Sequence, residues 1–189
     1  GFVRIAFAYE KENGETMPLS VDIVKKLQGF TLDVSFTAEA GVTALLGASG
    51  SGKSMTLRCI AGVEKPDEGS IVLDGRTLFD SAKKIDLPPQ ARKVGYLFQR
   101  YALFPNMTVL QNIEAGLSLE KGKRVRQAKR ESLITRFHLE GLEGRYPREL
   151  SGGQMQRVAL CRMLACEPEA ILLDEPFAAL DSHLRWQLE

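Results

Sequence analysis

The chain has 189 residues, 44% of them hydrophobic and 26% charged, with 25 basic and 24 acidic side chains and a net charge of +1. That length supports a buried core in one domain, or in a domain with a subdomain, and the near-neutral charge argues against nucleic acid as a partner. No apolar run reaches the length of a membrane span and no charged-apolar-small signal segment opens the chain, so any membrane role is expected through another subunit.

Residues 1–16 read as a leader or upstream segment of uncertain origin, in which Gly1–Tyr9 can form a short strand. Met17 is either a native start behind foreign sequence or the beginning of this domain after a fused one. Phe30, Leu32, Val34 and Phe36 alternate with Thr31, Asp33 and Ser35, the pattern of a half-buried antiparallel strand.

The apolar run Val42–Leu46 leads into Gly47, Ala48, Ser49, Gly50, Ser51, Gly52, Lys53 and Ser54, followed by the helix-like Met55–Ile60. Strand, glycine loop and helix in this order are the context of a phosphate loop. Its glycines let the backbone turn successive N–H groups onto an anion, and the helix N-terminus favours negative charge. Lys53 can reach the β- and γ-phosphates of a nucleotide, Ser54 offers a hydroxyl to Mg2+, and Met55 completes the candidate cradle. Ser70–Leu73 reads as a further strand ending in a turn at Asp74 and Gly75, and with the strand at Phe30 it is expected to form a smaller sheet.

Val94–Phe98 reads as a strand ending at Gln99. Lys121–Arg136 is basic and helical, with Val125, Ala128, Ile134 and Phe137 on or near one face, and its charge run reads as a solvated helix face. Ser151 can cap a helix over residues 152–166, and Gly152 and Gly153 leave its first amides uncovered, a second anion site. Ala170–Leu173 reads as a buried parallel strand. Asp174 and Glu175 at its end suit Mg2+ binding and the orientation or deprotonation of an attacking water. Cys59, Cys161 and Cys166 have no paired ligand spacing and are expected to be buried, reduced thiols.

The phosphate loop, Leu150–Gln154 and Ile171–Pro176, in that order, resemble the nucleotide-binding domain of the ATP-binding cassette (ABC) transporter family over nearly all of Leu19–Glu189. The resemblance implies an α/β fold: a P-loop NTPase core on a mainly parallel sheet, a small antiparallel β subdomain, and an inserted helical subdomain around residues 100–165. It implies that 17–189 form one ATP-binding domain using ATP and Mg2+. Ser151, Gly152, Gly153 and Gln154 would serve the nucleotide of a second copy in a head-to-tail dimer, Gln99 would sense Mg2+ and the γ-phosphate, Asp174 would hold Mg2+, and Glu175 would be catalytic. Ala179–Asp181 would touch the opposite subunit. The family's switch histidine lies on the strand after the second acid, past the last residue of this sequence, and neither His138 nor His183 takes its place; slow turnover and exposed apolar surface are the expectation.

Arg100–Val109 resembles importer ATPases, in which this region receives a coupling helix of the permease. Tyr101, Leu103, Phe104 and Pro105 would form that apolar socket. Gly75–Asp80, Leu87–Pro89 and Arg92–Tyr96 resemble molybdate importer ATPases, with sulfate importers sharing much of the pattern. The implied protein is an ATPase at the inner face of the cell membrane, bound to transmembrane permease subunits and served indirectly by a solute-binding protein. A soluble ABC ATPase in repair or translation is the main rival, and a non-catalytic module or a small-molecule P-loop kinase explains the motifs less fully. Phe30 is a candidate for stacking on adenine, although its place in an apolar alternation favours the core.

Overall fold

In chain order the elements begin with strands β1 (Phe2–Phe7), β2 (Leu19–Leu27), β3 (Phe30–Ala38) and β4 (Val42–Leu46), then helix α1 (Lys53–Ala61). They continue with β5 (Glu68–Leu73), β6 (Arg76–Asp80), β7 (Ile85–Asp86), the short α2 (Pro89–Arg92) and β8 (Val94–Leu97). Helices α3 (Val109–Gly116), α4 (Lys123–Arg136) and α5 (Gly152–Leu164) precede the last strand, β9 (Ala170–Asp174). The computed structural model describes residues 2–7 (backbone alone), 18–39, 41–48, 50–99, 101–118, 120 and 122–174. The expectations for residues 8–16, Ser49, Arg100, Glu175, Ala179–Asp181 and His183 therefore lie outside the described residues.

Alternation builds the antiparallel sheet, ordered β3-β2-β5-β6-β7. In β2, Leu19, Val21 and Ile23 are buried while Ser20 and Asp22 are exposed, and the strand pairs with β3 from Leu19↔Ala38 to Leu27↔Phe30. The β5–β6 hairpin turns at Asp74 and Gly75, with φ 48° and 72°, the double left-handed geometry that suits the twist of a tight hairpin. One core joins Leu19, Val21, Ile23, Ile71 and Leu73 of this sheet to Leu57 and Ile60 of α1 and to Leu172 of β9. Arg92 is wholly buried beside it and donates to the carbonyls of Cys59 (2.8 Å) and Ile60 (3.0 Å) in the last turn of α1, to that of Leu87 (2.7 Å), and to Asp86 (3.0 Å). A guanidinium at a helix C-terminus satisfies carbonyls that the helix cannot satisfy itself.

The second sheet has the order β4-β1-β9-β8. Strands β4 and β9 run in the same direction, because each pairs antiparallel with β1 between them. This differs from the expected mainly parallel sheet at its centre. The segment read as upstream supplies the backbone N–H and C=O partners that both strands would otherwise leave unpaired. On β4, Val42 is 70% and Leu46 80% exposed, so one face of this strand is open apolar surface.

Residues 97–167 form a separate compact unit, whose core contains Val109, Ile113 and Leu117 of α3 and its flank, Ile134 of α4, and Val158 and Cys161 of α5. Helices α3 and α5 pack closely at Gly116, where a Cβ would stand 2.2 Å from the Arg162 carbonyl oxygen. Helix α4 departs from expectation: Val125 and Ala128 are exposed, and Ile134 is buried with Leu133 and Phe137 half-buried. Val125 and Ile134 are about two and a half turns apart, hence on opposite sides of the helix. The basic side chains of α4 meet acids, Arg130 pairing with Glu114 (2.7 Å) and Lys129 with both Glu120 and Glu167 (2.8 Å each). Cys59 and Cys161 are buried as expected, but Cys166 is exposed because α5 ends at Leu164. No helix among the described residues is long and apolar enough to cross a membrane.

Candidate functional site

The link from β4 to α1 is made of Gly47–Gly52, with Gly50 at φ 82° and Gly52 at φ 91°. Both values lie in the left-handed region that side chains disfavour. At Gly52 a Cβ would also come within 2.6 Å of Leu32 Cδ1, so glycine is required there by conformation and by space. As the N-cap of α1 it offers no side-chain acceptor, which leaves first-turn amides for an anion. Lys53 Nζ lies within the loop, donating to the carbonyls of Gly47 and Ala48 at 2.7 Å and to Ser51 Oγ at 3.3 Å.

Ser54 Oγ donates to Asp174 Oδ1 at 2.8 Å, bringing together residues 120 positions apart. Asp174 is 4% exposed, at the C-terminal end of β9. Tyr96 OH donates to Asp174 Oδ2 at 3.0 Å. Burial, and after it the Asp174 charge, pushes the Tyr96 phenol up to about 12, so it stays protonated and keeps donating at neutral pH. The Arg58 guanidinium of α1 works against that rise, and among the described residues its own buried Nε has no hydrogen-bond partner. A serine hydroxyl and a carboxylate oxygen in contact are hard donors that fit a small divalent cation such as Mg2+. No cluster of three or more His, Cys, Asp or Glu side chains suited to another metal occurs among the described residues.

Phe30 is not in the core. It is 43% exposed, and its Cε2 lies 3.7 Å from where a Cβ on Gly52 would be, so its ring sits beside the phosphate loop. Within the same compact unit the structure thus brings together Gly47, Ala48, Gly50, Ser51, Gly52, Lys53, Ser54, Met55, Asp174 and Phe30.

The remaining predicted residues belong to the unit of residues 97–167. Gln99 is exposed, just past β8. Ser151 caps α5, its Oγ accepting from Gln154 N at 3.2 Å while Gln154 Oε1 accepts from Ser151 N at 2.8 Å. Gln154 is therefore engaged in its own helix start, and Cβ atoms at Gly152 or Gly153 would meet nothing within 4 Å. The start of this helix is an open glycine surface.

In the segment after Gln99, Phe104 is 45% exposed and Pro105 and Met107 are exposed, but Leu103 packs on the helical core and Tyr101 is half-buried. Tyr101 and Ala102 both have left-handed backbone, φ 59° and 46°. Arg162 of α5 donates to both their carbonyls (3.3 and 2.9 Å) and lies over the Phe104 ring, 4.9 Å from its centroid. Buried Asn112 closes the rest, accepting from Phe104 N at 2.9 Å and donating to the carbonyls of Phe104, Met107 and Thr108. Sequence reasoning missed Arg58, Tyr96, Asn112 and Arg162, since each acts on a partner that folding alone brings near.

The sequence profile of the family described as ABC transporter matches residues 31–178. The chain is 47% identical over 163 residues to the molybdenum import ATP-binding protein ModC of Paramagnetospirillum magneticum, an overlap of 86% of this chain and 45% of that protein. It is 46% identical over 171 residues to the sulfate/thiosulfate import ATP-binding protein CysA of a Synechocystis species, covering 88% and 46%. The chain thus spans somewhat less than half the length of these curated relatives. Among solved structures it is similar to a dimer of the ATP-binding cassette MJ0796 in a post-hydrolysis state bound to ADP and Pi. That likeness has TM-score 0.64 and 27% identity, and covers 88% of this chain and 77% of that one.

Proposed function

The chain belongs to the ABC transporter family, and from that premise we propose that it is the ATP-binding and ATP-hydrolysing subunit of an importer for an inorganic oxyanion. Molybdate is the proposed solute, with sulfate or another small solute as the alternative. The observation that carries the reading is the Ser54–Asp174 contact at 2.8 Å beside the phosphate loop, which joins a helix-start hydroxyl to a strand-end carboxylate.

In this reading the α1 amides and Lys53 bind the phosphates of ATP, and Phe30 stacks on adenine. Mg2+ would be held by Ser54, Asp174 and Gln99, and would neutralise charge on the β- and γ-phosphates. Glu175 orients a water and takes its proton as the water attacks the γ-phosphorus and ADP leaves. Ser151, Gly152, Gly153 and Gln154 serve the nucleotide of a second copy, and the dimeric cassette with ADP and Pi supports that arrangement. Phe104, Pro105 and Met107 offer an apolar surface to a permease helix at the inner face of the membrane, and the solute-binding protein acts through that permease. The solute itself does not touch this chain.

The direct test compares Lys53→Ala with Glu175→Gln by equilibrium binding of Mg-ATP. The first is expected to weaken binding on the order of a hundredfold, the loss of charge-assisted contacts worth about 3 kcal/mol. The second keeps shape and hydrogen bonding while removing the base, so affinity should hold and hydrolysis stop. Equal loss of binding in both variants would contradict the assigned roles.

A further inference from the structure

We propose that Tyr96 is a positioning residue for the Asp174 carboxylate, fixing the oxygen that Ser54 does not hold so that the other stays turned toward the start of α1. The inference deepens the reading above and rests on it, because it concerns how a carboxylate assigned to Mg2+ is kept in place. A carboxylate on a strand end rotates about its last bond unless both oxygens are engaged. Here Ser54 Oγ takes Oδ1 at 2.8 Å and Tyr96 OH takes Oδ2 at 3.0 Å. The two donors come from different elements, α1 and β8, and β8 is the neighbour of β9 in the sheet. All three groups lie in one compact unit.

A phenol that is half-buried and held away from water at its hydroxyl needs a hydrogen-bond partner. A phenylalanine would fill the same volume with no such need. Tyr96 directs its hydroxyl to Asp174, the one buried aspartate among the described residues of the candidate site. The strand that carries Tyr96 and the helix that carries Ser54 thereby share a single carboxylate. A cation at Ser54 would take a lone pair of Oγ and leave the O–H donating to Oδ1, so the serine and Tyr96 would hold one carboxylate oxygen each. Groups that orient a metal ligand in this way typically change metal affinity by about tenfold or more when removed.

The test is Tyr96→Phe in the full chain, with ATP affinity measured in EDTA and in Mg2+. The expected result is unchanged affinity in EDTA and a gain on adding Mg2+ that falls about tenfold. In an Asp174→Asn background the same substitution should change the gain by less than about twofold, since the two residues act through one contact. Mn2+ in place of Mg2+ gives a spectroscopic readout, a broadened EPR signal of the ATP-bound ion in Tyr96→Phe. An unaltered Mg2+ gain and Mn2+ spectrum would overturn the inference, and so would an equal loss of affinity with and without Mg2+, which marks a packing role. If the unmutated chain itself showed no Mg2+ gain, the function proposed above would fail and this inference with it.

Discussion

Phe30 shows how a single side chain can leave the pattern it belongs to. It ends the alternation that buries Leu32 and half-buries Val34 and Phe36, yet it is exposed beside Gly52. Phe30→Ala should therefore weaken ATP binding about two- to tenfold, the effect of losing one stacked ring worth about 1 kcal/mol, without lowering the melting temperature as a core deletion would. A large fall in melting temperature with unchanged affinity would return Phe30 to the core. The thiols offer a second check. Burial pushes Cys59 up to about 11 and Cys161 up to about 12 from 9.0, so the folded state keeps protons that the unfolded chain releases. The stability this contributes is complete below pH 9.0 and is lost as pH rises toward those folded values. Urea midpoints at pH 8 and pH 10.5 should show that loss, and Cys59→Ala should reduce it. Exposed Cys166 should be labelled by a maleimide before either of the others.

At the level of elements, the phosphate loop was legible because its requirements are local: left-handed glycines and a helix start follow from spacing alone, and Gly50 and Gly52 adopt the expected conformation. The cap of α5 was legible for the same reason, from Ser151 and its neighbours. The role of the loop after Gln99 was only half legible. Apolar composition marked Leu103 and Phe104 alike, while packing sends Leu103 inward and leaves Phe104 outside, a choice made by α3 and α5. Tyr101 and Ala102 hold left-handed backbone because Arg162 takes both carbonyls, the kind of strain a fold keeps only when its surroundings enforce it. Phe104→Asp is expected to abolish association with the cognate permease while ATP binding to this chain persists. Arg162→Met should destabilise the chain by about 2 kcal/mol and reduce permease-stimulated hydrolysis several-fold. Normal permease affinity in Phe104→Asp, measured by co-purification, would show that this surface faces no partner.

For the whole molecule, the least legible feature was the position of β1. Its short apolar pattern announced a strand, but pairing is non-local, and nothing in the sequence around Phe2–Phe7 names β4 and β9 as its neighbours. The Tyr96–Asp174 contact was hidden for the same reason, since it depends on which strands become adjacent. The matched molybdenum and sulfate import proteins differ by a single per cent in identity to this chain, so overall similarity favours neither solute.

The register of β1 has a practical side. Phe2 lies opposite Leu46, the residue before the phosphate loop, and Val3 lies opposite Asp174. The amino end of β1 thus lies beside the groups proposed to hold phosphate and cation. A polyhistidine tag at that end would bring imidazoles that compete for metal and a flexible tether that crowds the γ-phosphate. Chain tagged ahead of Phe2 should bind Mg-ATP more weakly than the same chain after the tag has been cleaved, and equal affinity before and after cleavage would count against this placement of β1.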